Sequence, residues 1–242
     1  MSEAERTVVA HLTNAERLQK SRLHPLAILV ALVVYSQGSG MRGSGEWIVS
    51  SKVVDALNAA FHAAFKNVEP ANKRHLLGLD VSGSMGTGQI AGMPITPRVG
   101  AAAMALVTAR TEPQTHAMCF SDEFREFPIS ARASLESVVQ QMMAQRFGRT
   151  DCALPMLYAL EHKLPVDAFI VYTDNETWYG EVHPCQALDR YRQKMGIPAK
   201  LIVVGMTATE FSIADPNDGG SLDVVGFDTA APQVMRDFIA KQ

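Results

Sequence analysis

The run Asp80-Val81-Ser82-Gly83-Ser84 sets one carboxylate and two hydroxyls at every second position. Alternate residues of an extended segment share a side, and Gly83 lets the backbone turn sharply. The three oxygens can therefore converge on one point as a strand unwinds into a loop. A second acid, Asp174, follows Tyr172-Thr173 and precedes Asn175-Glu176. Hard oxygen donors suit Mg2+, with Mn2+ as the alternative, better than zinc, which prefers sulfur and nitrogen. Mg2+ takes six oxygens near octahedral geometry and keeps some of its waters. A site with few protein charges leaves the ion electrophilic, and an open position would accept a carboxylate, a phosphate or water from a partner.

Other chemistries fit these residues less well. An aspartyl-phosphate mechanism needs a second acid two residues after the first, where this chain has Ser82. The stretch Gly83 to Gly88 could cradle phosphate on backbone amides, but it lacks the lysine of a P-loop and reverses the dinucleotide-binding glycine spacing. Ser82 and Ser84 stand outside a G-x-S-x-G turn and have no adjacent base. The histidines show no ligand spacing, and Cys119, Cys152 and Cys185 lack the paired spacing of a zinc knuckle or a redox dithiol. Such cysteine usage fits a reducing compartment, so the cytoplasm is the expected location. Cys119 reads as a small buried hydrophobe rather than a reactive thiol, and Met142 and Met143 read as core. The plain alternative makes Ser82 and Ser84 a helix-capping turn and Asp174 a loop acid.

The elements that must position these residues follow from periodicity. Past Asn72, short apolar runs alternate with amphipathic stretches. His75 to Val81 and Ala168 to Thr173 have the length and apolar density of buried strands. Between them come a helix opened by Pro97, a strand at Ala117 to Phe120, an edge strand at Glu126 to Ile129 and a helix through Leu135, Val138 and Met142. A helix to about His162 follows the Gly148 to Asp151 loop. Beyond Asp174 the pattern predicts a helix near Gln186 to Met195, strands at Lys200 to Met206 and Leu222 to Phe227, and a closing helix through Val234 and Phe238. Such alternation predicts a mostly parallel sheet of about six strands with helices on both faces. Ligands of such sheets bind beyond the carboxyl ends of the strands, where Asp80 and Asp174 fall. Residues 1 to 70 offer only helices: a polar opening helix, the apolar Pro25 to Tyr35, and Val53 to Phe65.

Composition excludes several classes. An apolar content of 47% against 19% charged residues is that of a globular protein with a real core, not of a disordered chain. A net charge of -3 gives no global footprint for nucleic acid, so an anionic partner must use a local patch. The run Pro25 to Tyr35 is too short to span a bilayer, for which a helix needs about 20 residues, and no membrane partner is expected.

The DVSGS of Asp80 to Ser84, the threonine of Gly148-Arg149-Thr150-Asp151 and the aspartate of Tyr172-Thr173-Asp174 resemble the metal-ion-dependent adhesion site of von Willebrand factor A domains. The resemblance implies a Rossmann-like A-type domain and a metal held by Asp80, Ser82, Ser84, Thr150 and Asp174, the hydroxyls approaching the ion and the aspartates acting directly or through water. Leu23-His24-Pro25, Gly40-Met41-Arg42-Gly43, Phe65-Lys66-Asn67-Val68-Glu69-Pro70, Thr173-Asp174-Asn175-Glu176-Thr177 and Ile197-Pro198-Ala199-Lys200-Leu201-Ile202 further resemble the C-terminal part of the Ro autoantigen family and its bacterial orthologues. That likeness covers nearly the whole chain. It implies that residues 1–70 are the last helices of a ring of helical repeats and that residues 71–242 are the A-type domain. It also implies that the full-length protein binds Y RNA-like small noncoding RNAs and misfolded RNAs in RNA quality control. The metal is expected to accept an acidic residue of a protein partner, and no enzymatic activity is expected. The rival readings are an adhesion or scaffold module unrelated to RNA and a metal-dependent phosphohydrolase. Arg22, Arg42 and Lys52 are the near-clustered candidates for phosphate contact, against the simpler reading of a solvated helix face.

Overall fold

The computed structural model describes residues 2–40, 44–121, 123–146, 148–174, 180–207 and 213–241. The chain divides into two compact units, residues 1–69 with 92–95, and residues 70–91 with 96–242.

The first unit is helical. The expected polar opening helix is two helices, α1 (Glu3–Leu12) and α2 (Ala15–Ser21), because Asn14 caps a new start by accepting from the Arg17 amide. Ser2 and Glu5 form a reciprocal capping box on α1. The apolar run becomes α3 (Pro25–Gln37), with proline in the first turn and Gly38 ending it at φ +73°. It packs on α4 (Ser51–Ala64), and Leu26, Ile28 and Leu29 meet the face carrying Val53, Leu57 and Phe61 in a small core. Arg42 lies outside the described residues.

The second unit is a six-stranded sheet in the order β3-β2-β1-β4-β5-β6. β1 (Arg74–Asp80) lies at its centre between β2 (Gln114–Phe120) and β4 (Ala168–Thr173), parallel to both. β5 (Lys200–Gly205) and β6 (Ser221–Val225) continue in parallel, and the three-residue β3 (Phe124–Glu126) closes the far edge antiparallel to β2. Every residue of β4 is buried, as expected of a strand covered on both faces. Strand order reverses between β1 and β4: the chain goes one way from β1 to β2 and the other way to β4. That switch point is where open sheets of this kind receive ligands.

Helices α5 (Pro97–Thr111), α6 (Leu135–Met143), α7 (Leu154–Glu161), α8 (Pro184–Met195) and α9 (Ala231–Ala240) connect and follow the strands. One close approach sets the site's frame. A Cβ on Gly78, in the middle of β1, would stand 2.8 Å from Pro155 Cγ, so glycine lets the start of α7 lie directly on the central strand. The expected last strand stops at Val225 because Gly226, at φ +82°, turns the chain before Phe227. Of the two methionines expected in the core, Met142 is buried and Met143 is 51% exposed. The turn of about 100° between neighbouring helical residues carries Met143 to the solvent face once Val138 and Met142 point inward.

Candidate metal centre

β1 and β4 deliver their last residues side by side at the switch point. Asp80 closes β1 and is completely buried, and Asp174 follows β4 and is buried as well. Asp80 Oδ1 accepts from the Ser82 amide at 2.7 Å, which folds the chain back on itself at the end of the strand. Its Oδ2 accepts from the Thr173 hydroxyl at 2.8 Å, across from the neighbouring strand. Burial pushes the Asp80 carboxyl up from 3.8 to about 6, against the lowering effect of the Ser82 and Thr173 hydrogen bonds, and the charge of Asp174 pushes it the same way. Two buried acids that feel each other's charge favour a cation between or beside them.

The hydroxyls fit such a cation. Ser82 Oγ and Ser84 Oγ lie 3.1 Å apart. Adjacent corners of an octahedron of oxygens at 2.0 to 2.1 Å from Mg2+ are about 2.9 Å apart, so the two hydroxyls already stand at nearly the spacing of neighbouring ligands. Among the described residues no group of three His, Cys, Asp or Glu side chains could hold a metal; an ion at this edge must take hydroxyl oxygens alongside the carboxylates.

Thr150 arrives from a third direction. The Asp151 amide donates to the Ser121 carbonyl just past β2, at 3.1 Å, and Asp151 Oδ1 accepts from the Ala153 amide. These bonds pin the loop at the carboxyl edge of the sheet and leave Thr150 buried. Two residues on, Cys152 is fully buried; desolvation raises its thiol well above the ordinary range, and the charges of Asp80, Asp151 and Asp174 add to the rise. The loop thus runs within electrostatic reach of both aspartates. Asp80, Ser82 and Ser84 are joined by hydrogen bonds, directly or through the backbone, Asp174 lies within charge range of Asp80, and Thr150 stands on a loop anchored to the same edge. Asn175 and Glu176 lie outside the described residues.

Two residues of this edge were not singled out from the sequence. Thr173 orients Asp80, although as the last residue of an apolar strand it reads simply as a β-former. Arg98, in the first turn of α5, is 7% exposed and donates to the Ser82 carbonyl at 3.3 Å. Its guanidinium lies so close under the loop that a Cβ on Gly86 would come within 2.5 Å of it. Desolvation lowers the Arg98 pKa while Asp80 favours its charge. Its one signal was a charged side chain beside Pro97, ahead of the apolar stretch Val99 to Val107. Beside the centre, Val81 and Ser121 line a polar cleft of about 170 Å3 whose walls carry Arg125 and Arg146.

Residues 74–239 match the family model described as the Ro60 vWA domain. The chain belongs to the Ro60 family. It is 56% identical over 232 residues to RNA-binding protein RO60 of Deinococcus radiodurans, covering 96% of this chain and 44% of that protein. To RNA-binding protein RO60 of Caenorhabditis elegans it is 44% identical over 233 residues, covering 96% of this chain and 36% of that one. The crystal structure of the Deinococcus radiodurans RO (RSR) protein superposes with a TM-score of 0.93 at 55% identity, covering 99% of this chain and 48% of that one. The chain therefore spans less than half the length of the curated Ro60 relatives it matches. The mostly parallel six-stranded sheet expected from the strand pattern, and the Rossmann-like A-type fold implied by the resemblance, are those of the Ro60 vWA domain.

Proposed function

We propose that the second unit is a metal-dependent binding module in which Asp80, Ser82, Ser84, Thr150 and Asp174 hold Mg2+, or Mn2+ in its place, and the ion accepts an acidic group from a protein partner. The observation that carries this reading is the buried Asp80, tied to Ser82 and Thr173 and beside Asp174, with two serine hydroxyls at ligand spacing next to it. The bound ion supplies a Lewis-acidic position for the incoming oxygen. The protein holds the hydroxyls in place, keeps the two aspartates out of bulk water and sets Arg98 under the loop. In the polar cleft beside it Arg125 is paired with Glu123, and Arg146 is the cation placed to meet the remainder of an acidic partner segment.

Within the longer protein, this module belongs to an RNA-binding protein of the Ro type, non-enzymatic and cytoplasmic. Residues 1–70 form the end of a ring of helical repeats, and the whole protein takes Y RNA-like small noncoding RNAs and misfolded RNAs in quality control. The names of its relatives support the RNA partner. The test is titration of the metal-free chain with Mn2+ or Mg2+ by calorimetry, alongside Ser82→Ala with Ser84→Ala and Asp80→Ala. Both variants are expected to weaken metal binding at least tenfold, since two of the direct oxygens or the central acid are gone. Unchanged affinity in both would remove the metal from this edge. Turnover of 4-nitrophenyl phosphate that is lost in Asp80→Ala would replace the binding module by a phosphohydrolase.

A further inference from the structure

The edge of the sheet opposite Asp80 and Asp174 carries a second, larger concavity. A cleft of about 700 Å3 opens where Lys73 precedes β1, Asp167 precedes β4, Lys200 begins β5 and Gly220 precedes β6. Its size is that of pockets that enclose small organic ligands. The rim is rigid: the Lys200 amide donates to the Asp167 carbonyl, the Asp167 amide to the Arg74 carbonyl and the Leu201 amide to the Gly220 carbonyl, each at 2.9 to 3.0 Å.

Charge in the cleft is unbalanced. Asp167 is taken by Arg74, which grips both of its oxygens at 2.8 and 2.6 Å. Asp218 is taken by Arg192 at 2.8 Å and by the Ser221 hydroxyl and Gly220 amide. Lys73, Lys200 and Lys241 form no ion pair among the described residues, although Asp167 feels the charge of Lys73 and Asp237 that of Lys241, so the cations of the cleft still outnumber its acids. Lys200 donates to the carbonyls of Phe238 and Lys241, so one of the three neutralises the carbonyl end of α9. Burial lowers the Lys200 pKa first, and the positive charges of Lys73 and Lys241 lower it further, which puts all three ammonium groups in one field. The walls between them are apolar, formed by Ile197, Pro198 and Ile239.

We propose that this cleft is a binding site for an organic phosphate of nucleotide size, whose phosphate meets Lys73 and Lys241 with Lys200 behind them and whose less polar body lies on Ile197, Pro198 and Ile239. Lysine ammoniums suit phosphate as point charges, and an apolar wall rewards a ligand with a body over a bare anion. The assignment is independent of the metal centre, which lies at the opposite edge. A free nucleotide and the phosphorylated end of an RNA present the same chemistry.

The test uses the 242-residue chain and calorimetry with adenosine 5′-monophosphate, adenosine, inorganic phosphate, and one short oligoribonucleotide with and without a 5′-phosphate. Adenosine 5′-monophosphate is expected to bind at least tenfold more tightly than adenosine or phosphate. Lys73→Ala and Lys241→Ala, both at the surface of the unit, are each expected to weaken it about tenfold, the loss of one charge-assisted contact. Preference for the phosphorylated oligonucleotide over its hydroxyl form identifies an RNA end as the source, and binding of the mononucleotide alone identifies a free nucleotide; either outcome supports the site. Failure of adenosine 5′-monophosphate to bind, binding unmoved by both substitutions, or equal binding of inorganic phosphate would overturn the proposal. Thermal unfolding of the two variants shows whether a lost signal reflects a lost fold, and in that case Lys73→Gln with Lys241→Gln decides.

Discussion

At the scale of single residues, the Asp80 carboxyl carries the most definite prediction. Its pKa rises in the folded state from 3.8 to about 6. An acid raised on folding costs stability when it is charged. The cost is absent well below 3.8, where the group is protonated in both states, grows as the pH rises from 3.8 and is fully present above about pH 6. A rise of about two pH units corresponds to about 3 kcal/mol. The metal-free chain should therefore gain stability from this group as pH falls from 7 towards 4, before other carboxylates reverse the trend. A divalent cation needs the charged form and offsets the cost, so its stabilising effect should fade below pH 6, by about tenfold in affinity per pH unit once one proton competes. Differential scanning calorimetry between pH 4.5 and 7.5, with and without Mn2+, reads both effects. In Asp80→Asn the metal-free melting temperature above pH 6 should equal or exceed that of the parent, with no response to Mn2+. A parent melting temperature indifferent to Mn2+ at pH 7.5 would contradict the assignment. Asp80, Ser82 and Ser84 were singled out by their alternate spacing, and Thr150 and Asp174 by the resemblance; in the structure both serines lie beyond the end of β1, and Gly83 keeps an ordinary right-handed φ of -62°. Arg98 and Thr173 were not legible, since their roles depend on which segments lie beside them in space and on no spacing along the chain.

At the scale of elements, the strands were read within a few residues because burial on both faces makes them continuous apolar runs. β4 matches the expected span from Ala168 to Thr173, and β1 differs from expectation by one residue at each end. The edge was read less well. β3 covers Phe124–Glu126 rather than Glu126 to Ile129, because a strand paired on one side only leaves a weak apolar signal. Helix α5 opened at Pro97 as expected, while the break between α1 and α2 rested on a cap at Asn14 that composition alone does not reveal. Nor does composition explain Gly78, whose reason is the contact with Pro155. Gly78→Ala places a methyl 2.8 Å from Pro155 Cγ, so β1 and α7 should be forced apart at a cost of about 1–3 kcal/mol by overpacking, lowering the melting temperature by roughly 3–10 °C for a unit of this size. Because α7 begins just beyond the Thr150 loop, the same change should weaken Mn2+ binding although residue 78 touches no donor. Unchanged melting and metal affinity in Gly78→Ala would mean that α7 is free to give way.

At the scale of the whole molecule, affinity for RNA should separate this chain from its longer relatives. Phosphate contacts from Lys and Arg provide most of the affinity of such proteins, and each adds to the salt dependence. Here a net charge of -3 is spread over two units. On the proposed assignment, the cleft with Lys73, Lys200 and Lys241 takes one phosphate group, not a backbone. The chain spans 44% of the Deinococcus radiodurans RO60 protein and 36% of the Caenorhabditis elegans one; on the proposed reading most of the ring and its RNA contacts belong to the part of those proteins that this chain does not cover. The 242-residue chain should therefore bind structured RNA no better than non-specific proteins do, with a dissociation constant of roughly 10⁻⁴ M at physiological salt and a shallow salt slope. The full-length Deinococcus radiodurans protein, measured on the same RNA, should bind at least a hundredfold more tightly and lose affinity more steeply as salt rises. If filter binding instead finds this chain at or below about 10⁻⁶ M, the contacts must lie within it. Arg22 and Lys52 on the helical unit would then be the first substitutions to make, since a slope reduced by about one per residue removed would distinguish direct phosphate contacts from a change in fold.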